Sequence, residues 1–496
     1  MNHSHPIIVI GAGPIGLATA AHLLERGQDV RVLEAGSGAG AAIRNWGHIR
    51  LFSTWRWNID AAARRLLETP TAAYAGDWNA PRETRLPTGS EMVTQYLEPL
   101  AAHPALAAHI SYGHRVAKVT RLRADGAGVD KTSSKNREDS LFLVRTETAD
   151  ETKDVLARAV IDASGTWGTP NPVGRSGIEA IGEAEAHAAG LITSPLPDPL
   201  GADAEPFSGK TILVMGAGHS AANTLISLGR LRQRHPDTRI LWGLRGAANP
   251  IRMYGGGPAD QLPARGQLGT SLRRLVEHGD IDIVENVAVT TLERGEKLGV
   301  VLADGRRLEV DLLVPATGFR PDLGMLSELR LDLDQAVEAP RQLGPLIDPE
   351  FHSCGTVSAH GASVLAHPET DFYIAGMKSY GRAPTFLLAT GYEQVRSIAA
   401  ALAGDRAAAE TVELELPDTG VCSTDLAGSC DAPAAGTPDP VAGSCCGTPE
   451  PVEIGFATGT PDPVAGSCCG TPEPVEIGFA TGTLHGHTEL LVEQKS

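Results

Sequence analysis

Two glycine patterns and one repeated cysteine pair carry most of the chemistry written into this sequence. Gly11, Gly13 and Gly16 stand as G-x-G-x-x-G in "GAGPIG", with Pro14 and Ile15 in the gap, directly after the apolar run "PIIVI". In that setting the first glycine allows a tight turn and the second lets a pyrophosphate approach the backbone. The third permits close packing of a helix on a strand. The helix that follows would offer amide donors and partial positive charge to the phosphates. Glu34 ends the next strand-like run, "DVRVLE", where a carboxylate accepts hydrogen bonds from a ribose hydroxyl. All these parts in one order read as a dinucleotide site rather than a bare turn.

A second pattern follows at Gly216, Gly218 and Ala221 in "VMGAGHSA", with His219 and Ser220 opening the helix. Its second strand ends in "WGLRG" rather than in an acid. Arg245 there suits a 2′-phosphate, which favours NADPH over NADH; the alternative is a solvated strand-end cation. Two fingerprints with different second-strand ends imply two different nucleotides, one held permanently and one delivering electrons.

The cysteines are distributed unevenly. Of seven, only Cys354 precedes residue 420; the rest are Cys422, Cys430 and the adjacent pairs Cys445–Cys446 and Cys468–Cys469. A secreted disulfide framework would staple the folded part, so reduced thiols with their own task are expected. Neighbouring thiolates chelate a soft ion such as As(III), Hg(II) or Cu(I) better than they form a strained eight-membered disulfide ring. Each pair lies in a 23-residue unit, "TPDPVAGSCCGTPEPVEIGFATG", present twice in tandem. The composition around them keeps a chain loose, so a flexible tail is expected. A duplicated, dispensable segment is the competing reading. His352, Cys354, His360 and His367 match no structural-zinc spacing well.

The elements that must position these groups read as β-turn-α-β at residues 6–34 and again from "KTILVMG". Between them, "RVAKVTRLR" and "SLFLVRTET" flank a polar insert expected to be a solvated loop. Residues 175–206 read as a linker or surface crossing. The net charge of −18 argues against nucleic-acid and anionic-membrane partners. No apolar run approaches the roughly 18 to 20 residues that span a bilayer, so a soluble, cytoplasmic protein is expected. Nothing in the sequence specifies an oligomeric state.

Motif order over residues 6–404 resembles the flavin-containing monooxygenase and thioredoxin-reductase-like superfamily. "DASGTWGTPNP", "PATGFRPD" and "YIAGMKSYGRAPTF" look like its cofactor-contacting segments. "NWGHIRLFSTWRWNID" and "MKSYGRAPTFLLATGYEQVRS" look more narrowly like flavin-binding monooxygenases found near bacterial arsenic-resistance genes. The resemblance implies an α/β fold with two Rossmann-like domains: an FAD domain (1–195 and 313–410) split by an NAD(P)H domain (196–312), and a tail at 411–496. It also implies cofactor contacts from Trp46, Val116, Gly165, Thr317, Gly318, Gly376 and Met377, beside the fingerprint residues.

Arg44, His48 and Lys378 become candidate catalytic groups, able to stabilise an anionic oxygen species. The competing reading is that Trp46 is packing and the arginines cover surface or pair with phosphate. Two departures matter. No CxxC precedes residue 420, which disfavours dithiol–flavin exchange. "PFSGKTILVMG" also lacks the histidine of the usual monooxygenase motif. The expected function is NADPH-dependent FAD oxidation chemistry with O₂ on a small substrate, a trivalent arsenical. The alternatives are a reductase serving a separate thiol, quinone or metal acceptor, and a metalloid scavenger acting through Cys445, Cys446, Cys468 and Cys469.

Overall fold

The computed structural model describes residues 5–123, 125–133, 137–249, 254, 263–351 and 359–414. All of them fall in one unit, Met1–Cys430. The four cysteines of the tandem repeat, together with Cys422, Cys430, His352 and Cys354, lie outside the described residues.

Strand β1 (Ile7–Ile10) is apolar at every position and buried at every position. That is what a central strand covered on both faces requires. It sits in a parallel sheet with β2 (Val30–Glu34), β3 (Ile110–Tyr112), β7 (Ala159–Asp162) and β15 (Phe372–Ile374), in the order β15-β7-β1-β2-β3. Helix α1 (Pro14–Glu25) begins with proline at its first position, where the missing N–H costs nothing. The chain leaves this sheet after β7 and returns only with β15.

In between it builds a second parallel sheet, β10-β9-β8-β14, from β8 (Thr211–Met215), β9 (Arg239–Gly243), β10 (Asp282–Val284) and β14 (Leu312–Pro315). Helix α2 (His219–Arg234) follows β8. The architecture is thus two Rossmann-like units, one interrupted by the other, as expected. The second sheet runs through Pro315, so β14 straddles the boundary expected at 312. Two antiparallel sheets complete the body: β4 (Arg115–Leu122), β5 (Leu141–Glu147) and β6 (Thr152–Ala157), then β11 (Val289–Arg294), β12 (Leu298–Leu302) and β13 (Arg307–Val310). No helix among the described residues is long and apolar enough to cross a membrane.

Two expectations are corrected. The segment read as a linker packs in its first part: Val173, Ala180, Ala186 and Ile192 are buried with β8, β11 and β12 residues. Glu183 makes this possible, because its buried carboxylate accepts the amides of Val173 (2.8 Å), Gly174 (3.2 Å) and Ala180 (2.7 Å). Sparse apolar residues without a clear period hid this packing. The insert between β4 and β5, read as solvated, sends Arg137 inward to Glu369 at 2.7 Å. Arg121 Nε donates to the other Glu369 oxygen at 2.7 Å, and the Arg330 amide donates at 2.9 Å.

Burial alone would push the Glu369 carboxyl up, but the bonds from Arg137, the Arg330 amide and Arg121 outweigh it and hold its pKa below the usual carboxylate range. Glu369→Gln takes from two buried guanidinium groups the carboxylate they share and is expected to cost about 3–5 kcal/mol in denaturant unfolding. A carboxylate with a depressed folded pKa contributes stability that is complete above its unfolded value of about 4.3. That contribution should fade as pH falls through the lower folded value. The acid limb of the wild-type stability curve should therefore be shallower in Glu369→Gln.

Candidate cofactor and active site

The first fingerprint divides its work as the sequence suggests. Gly11 has φ +100°, and a Cβ there would meet the Ala163 carbonyl oxygen at 2.9 Å. A Cβ on Gly16 would sit 1.9 Å from the Gly11 carbonyl oxygen, so helix and turn touch only because it is glycine. Gly13 is different: a Cβ there would meet no protein atom within 4 Å. That open space lies at the N-terminus of α1, where backbone amides converge. Glu34 spans the turn, accepting the Ala12 amide at 2.6 Å and the Gly36 amide at 2.7 Å. Both of its oxygens keep lone pairs for a ribose hydroxyl.

A cavity of ≈ 550 Å³ opens beside these residues. Gly11, Gly13, Pro14, Ile15 and Glu34 line one end. Ala163, Ser164 and Gly165 beyond β7 line it next, with Gly376 and Met377 beyond β15. Trp46, Ile49, Leu51, Phe52 and Phe386 supply much of the apolar wall. Thr385–Leu388 leads into α3 (Leu388–Leu402), so a helix N-terminus borders the cavity. The Gly376 amide is held from behind by Gln394 Oε1 at 2.8 Å.

The second fingerprint borders the same cavity. His219, Ser220 and Asn223 at the start of α2 line it, and the His219 ring lies 4.9 Å from Phe52 of the first unit, centroid to centroid. Gly216 is again pinned, a Cβ there lying 2.0 Å from the Ala316 carbonyl oxygen, while Gly218 has open space. Trp242 Nε1 donates to the Gly216 carbonyl at 2.7 Å and fixes the turn. Ala221 is buried in the core of this unit, and Arg245 is exposed two residues past β9.

Six expected site residues lie elsewhere. Arg44 ends a one-turn helix that buries Ile43, and so it projects outward to Glu98 at 2.6 Å. His48 is exposed and absent from the cavity wall. Lys378 points behind the wall, where it pairs with Asp162 at 2.6 Å. Val116 packs with Ile8, Ile10 and Leu33 on the sheet face. Thr317 and Gly318 belong to the crossing between units: Asn171 N donates to the Gly318 carbonyl at 2.9 Å and Thr317 Oγ1 to the Asn171 carbonyl at 2.7 Å. Sequence reasoning missed Phe52, Met92, Trp167, Phe319 and Phe386. Phe52 and Trp167 sit inside segments already singled out, but an aromatic in a loop carries no sign of which way it faces.

The family model for pyridine nucleotide-disulphide oxidoreductases matches residues 8–353. The chain belongs to that family. A comparison with curated proteins finds no match. Among solved structures, bacillithiol disulfide reductase from Bacillus cereus aligns at 19% identity over 81% of this chain and 99% of its own, with TM-score 0.57. The Staphylococcus aureus bacillithiol disulfide reductase aligns at 17% over 81% and 99%, with TM-score 0.54. A flavin-containing monooxygenase from Stenotrophomonas maltophilia aligns at 19% over 80% and 99%, with TM-score 0.48.

The family member described here is an FAD-dependent oxidoreductase that uses NAD(P)H. The open space at Gly13, the amides of α1 and the free lone pairs of Glu34 fit the FAD pyrophosphate and ribose. Gly13→Val should leave the apoprotein melting temperature within a few degrees of wild type, because its side chain enters space no protein atom occupies. FAD content on purification should fall at least tenfold. Gly16→Val, by contrast, should fail to give soluble protein.

Proposed function

We propose that the protein is an NADPH-dependent FAD monooxygenase acting on a small, soft nucleophile, with a trivalent arsenical as the substrate. The observation that carries this reading is that both fingerprints open onto one apolar cavity. The nucleotide that delivers electrons and the one held permanently would meet against a wall that excludes water, as reactive oxygen chemistry demands.

Bound FAD would supply hydride acceptance from NADPH and electron transfer to O₂. The chain's own residues bind, orient and exclude. The Gly11–Gly13 turn and the α1 amides take the FAD pyrophosphate, and Glu34 takes the ribose. Gly376, Met377 and the start of α3 would hold the ring, where a helix N-terminus favours negative charge. The amides at His219 and Ser220 would receive the NADPH pyrophosphate, and the exposed Arg245 would take the 2′-phosphate. With a single cysteine before residue 420, the folded body lacks the thiol pair for internal disulfide exchange, so electrons leave on a small molecule. The arsenical rests on the sequence resemblance and on the vicinal cysteines of the repeat, whose thiolates suit a soft ion.

A second reading has one observation in its favour. The two bacillithiol disulfide reductases share this fold over 81% of the chain, which suits electron delivery to a low-molecular-weight disulfide. The two readings separate in one experiment: NADPH consumption followed with arsenite in air, and with bacillithiol disulfide under argon. Arsenate formed in step with NADPH consumed, with no disulfide reduction, supports the first; thiol release under argon with no arsenate overturns it. In either case Arg245→Ala should raise the KM for NADPH about 10- to 100-fold, the loss of one charge-assisted contact, and leave the KM for NADH unchanged.

A further inference from the structure

Lys378 is an unusual residue to find inside a protein. It is 2% exposed, and its partner Asp162 is fully buried. The ammonium lies 2.6 Å from Asp162 Oδ2 and donates to Ser164 Oγ at 3.1 Å. Ser164 Oγ in turn donates to Asp162 Oδ1 at 2.7 Å, and the Ser164 amide reaches the same oxygen at 3.1 Å. Three side chains thus close a ring of directed bonds. The backbone adds a fourth link, since the Ala375 amide donates to the Asp162 carbonyl at 2.9 Å.

This ring stands at the junction of two wall segments. Asp162 ends β7 and is followed at once by Ala163, Ser164 and Gly165; Lys378 follows Gly376 and Met377 in the turn Gly376–Tyr380. Both sets line the cavity from adjacent strands. A buried ion pair is seldom the most stabilising way to fill such a volume, and apolar groups of similar size often do as well or better. What apolar groups lack is direction. The Ser164 hydroxyl is engaged behind the wall, so its backbone and Gly165 form the face toward the cavity.

We infer that Lys378 is a positioning residue for FAD, locking the loop after β7 to the turn after β15 through Asp162 and Ser164. It acts through these residues and does not touch the reacting atoms. The inference rests on the assignment of FAD to this cavity.

The test is FAD titration of apoprotein, with the visible spectrum of the bound flavin recorded alongside thermal melting. Wild type is compared with Lys378→Met, the double variant Lys378→Met with Asp162→Leu, and Ser164→Ala. Lys378→Met should melt lower and bind FAD about 10- to 100-fold more weakly, as loss of a charge-assisted bond at the site implies. The double variant removes the stranded carboxylate and should recover the melting temperature while FAD binding stays weak and the flavin band stays shifted. That split is what a purely structural pair would not produce. Ser164→Ala keeps the ion pair and should weaken FAD severalfold, which decides the matter should both lysine variants fail to fold. Wild-type affinity and spectrum in the double variant, or in Ser164→Ala, would overturn the inference. Failure of wild type to bind FAD would instead overturn the cofactor assignment beneath it.

Discussion

The contact on which the site depends is a backbone-to-backbone approach at the carboxyl end of β1. Helix α1 can start only because Gly16 lies against the Gly11 carbonyl, and Gly11 can turn only because it lies against the Ala163 carbonyl. These distances leave no room for a side chain, so strand, turn, helix and the neighbouring strand β7 are placed together or not at all. Once they are, open space lies beside Gly13 at the N-terminus of α1, and the carboxyl end of the sheet has the form that suits a phosphate. The second unit repeats the device with Gly216 against the Ala316 carbonyl, and the start of its helix borders the same cavity.

Electrostatics settle what packing leaves open. Three buried carboxylates of the body are each answered by a specific donor set: Glu183 by three amides, Glu369 by two guanidinium groups and an amide, Asp162 by Lys378 and Ser164. None of these acids faces the cavity. They fix loops whose own apolar content is too small to hold them, consistent with the cost of leaving a buried charge without partners.

How much of this was legible in the sequence follows from the same physics. The two β-turn-α units were plain, because a glycine spacing that serves a backbone contact is local and survives any surroundings. Glu34, Trp46, Gly165, Gly376 and Met377 were placed in the wall because they sit within or beside such local segments. Arg44 and His48 face outward, one at the end of a one-turn helix and the other in the turn after it, and nothing in their types records which side is core. Lys378 was read as reactive because a lysine in a cofactor segment invites that reading, whereas its partner stands 216 positions away. Residues 175–206 read as a linker because the core positions there, Ala180, Ala186 and Ile192, follow neither a helix nor a strand period.

The split of the first sheet also bears on the order in which the molecule can be made. Its central strand is β1, but its outer strand β15 is synthesised only after the whole second unit. The second sheet has all its strands once the ribosome has passed Pro315, and can close on itself early. The cavity wall takes residues from Gly11 at one extreme and Leu388 at the other, so its closure waits for nearly the entire body and bears the entropy of a very long loop. Nucleotide recognition in this chain is therefore assembled from the inside out. The second sheet closes on the pairing of Leu312 with Ile212, and the cavity wall is completed only later in the chain, with a bound ligand available to offset the cost of that closure.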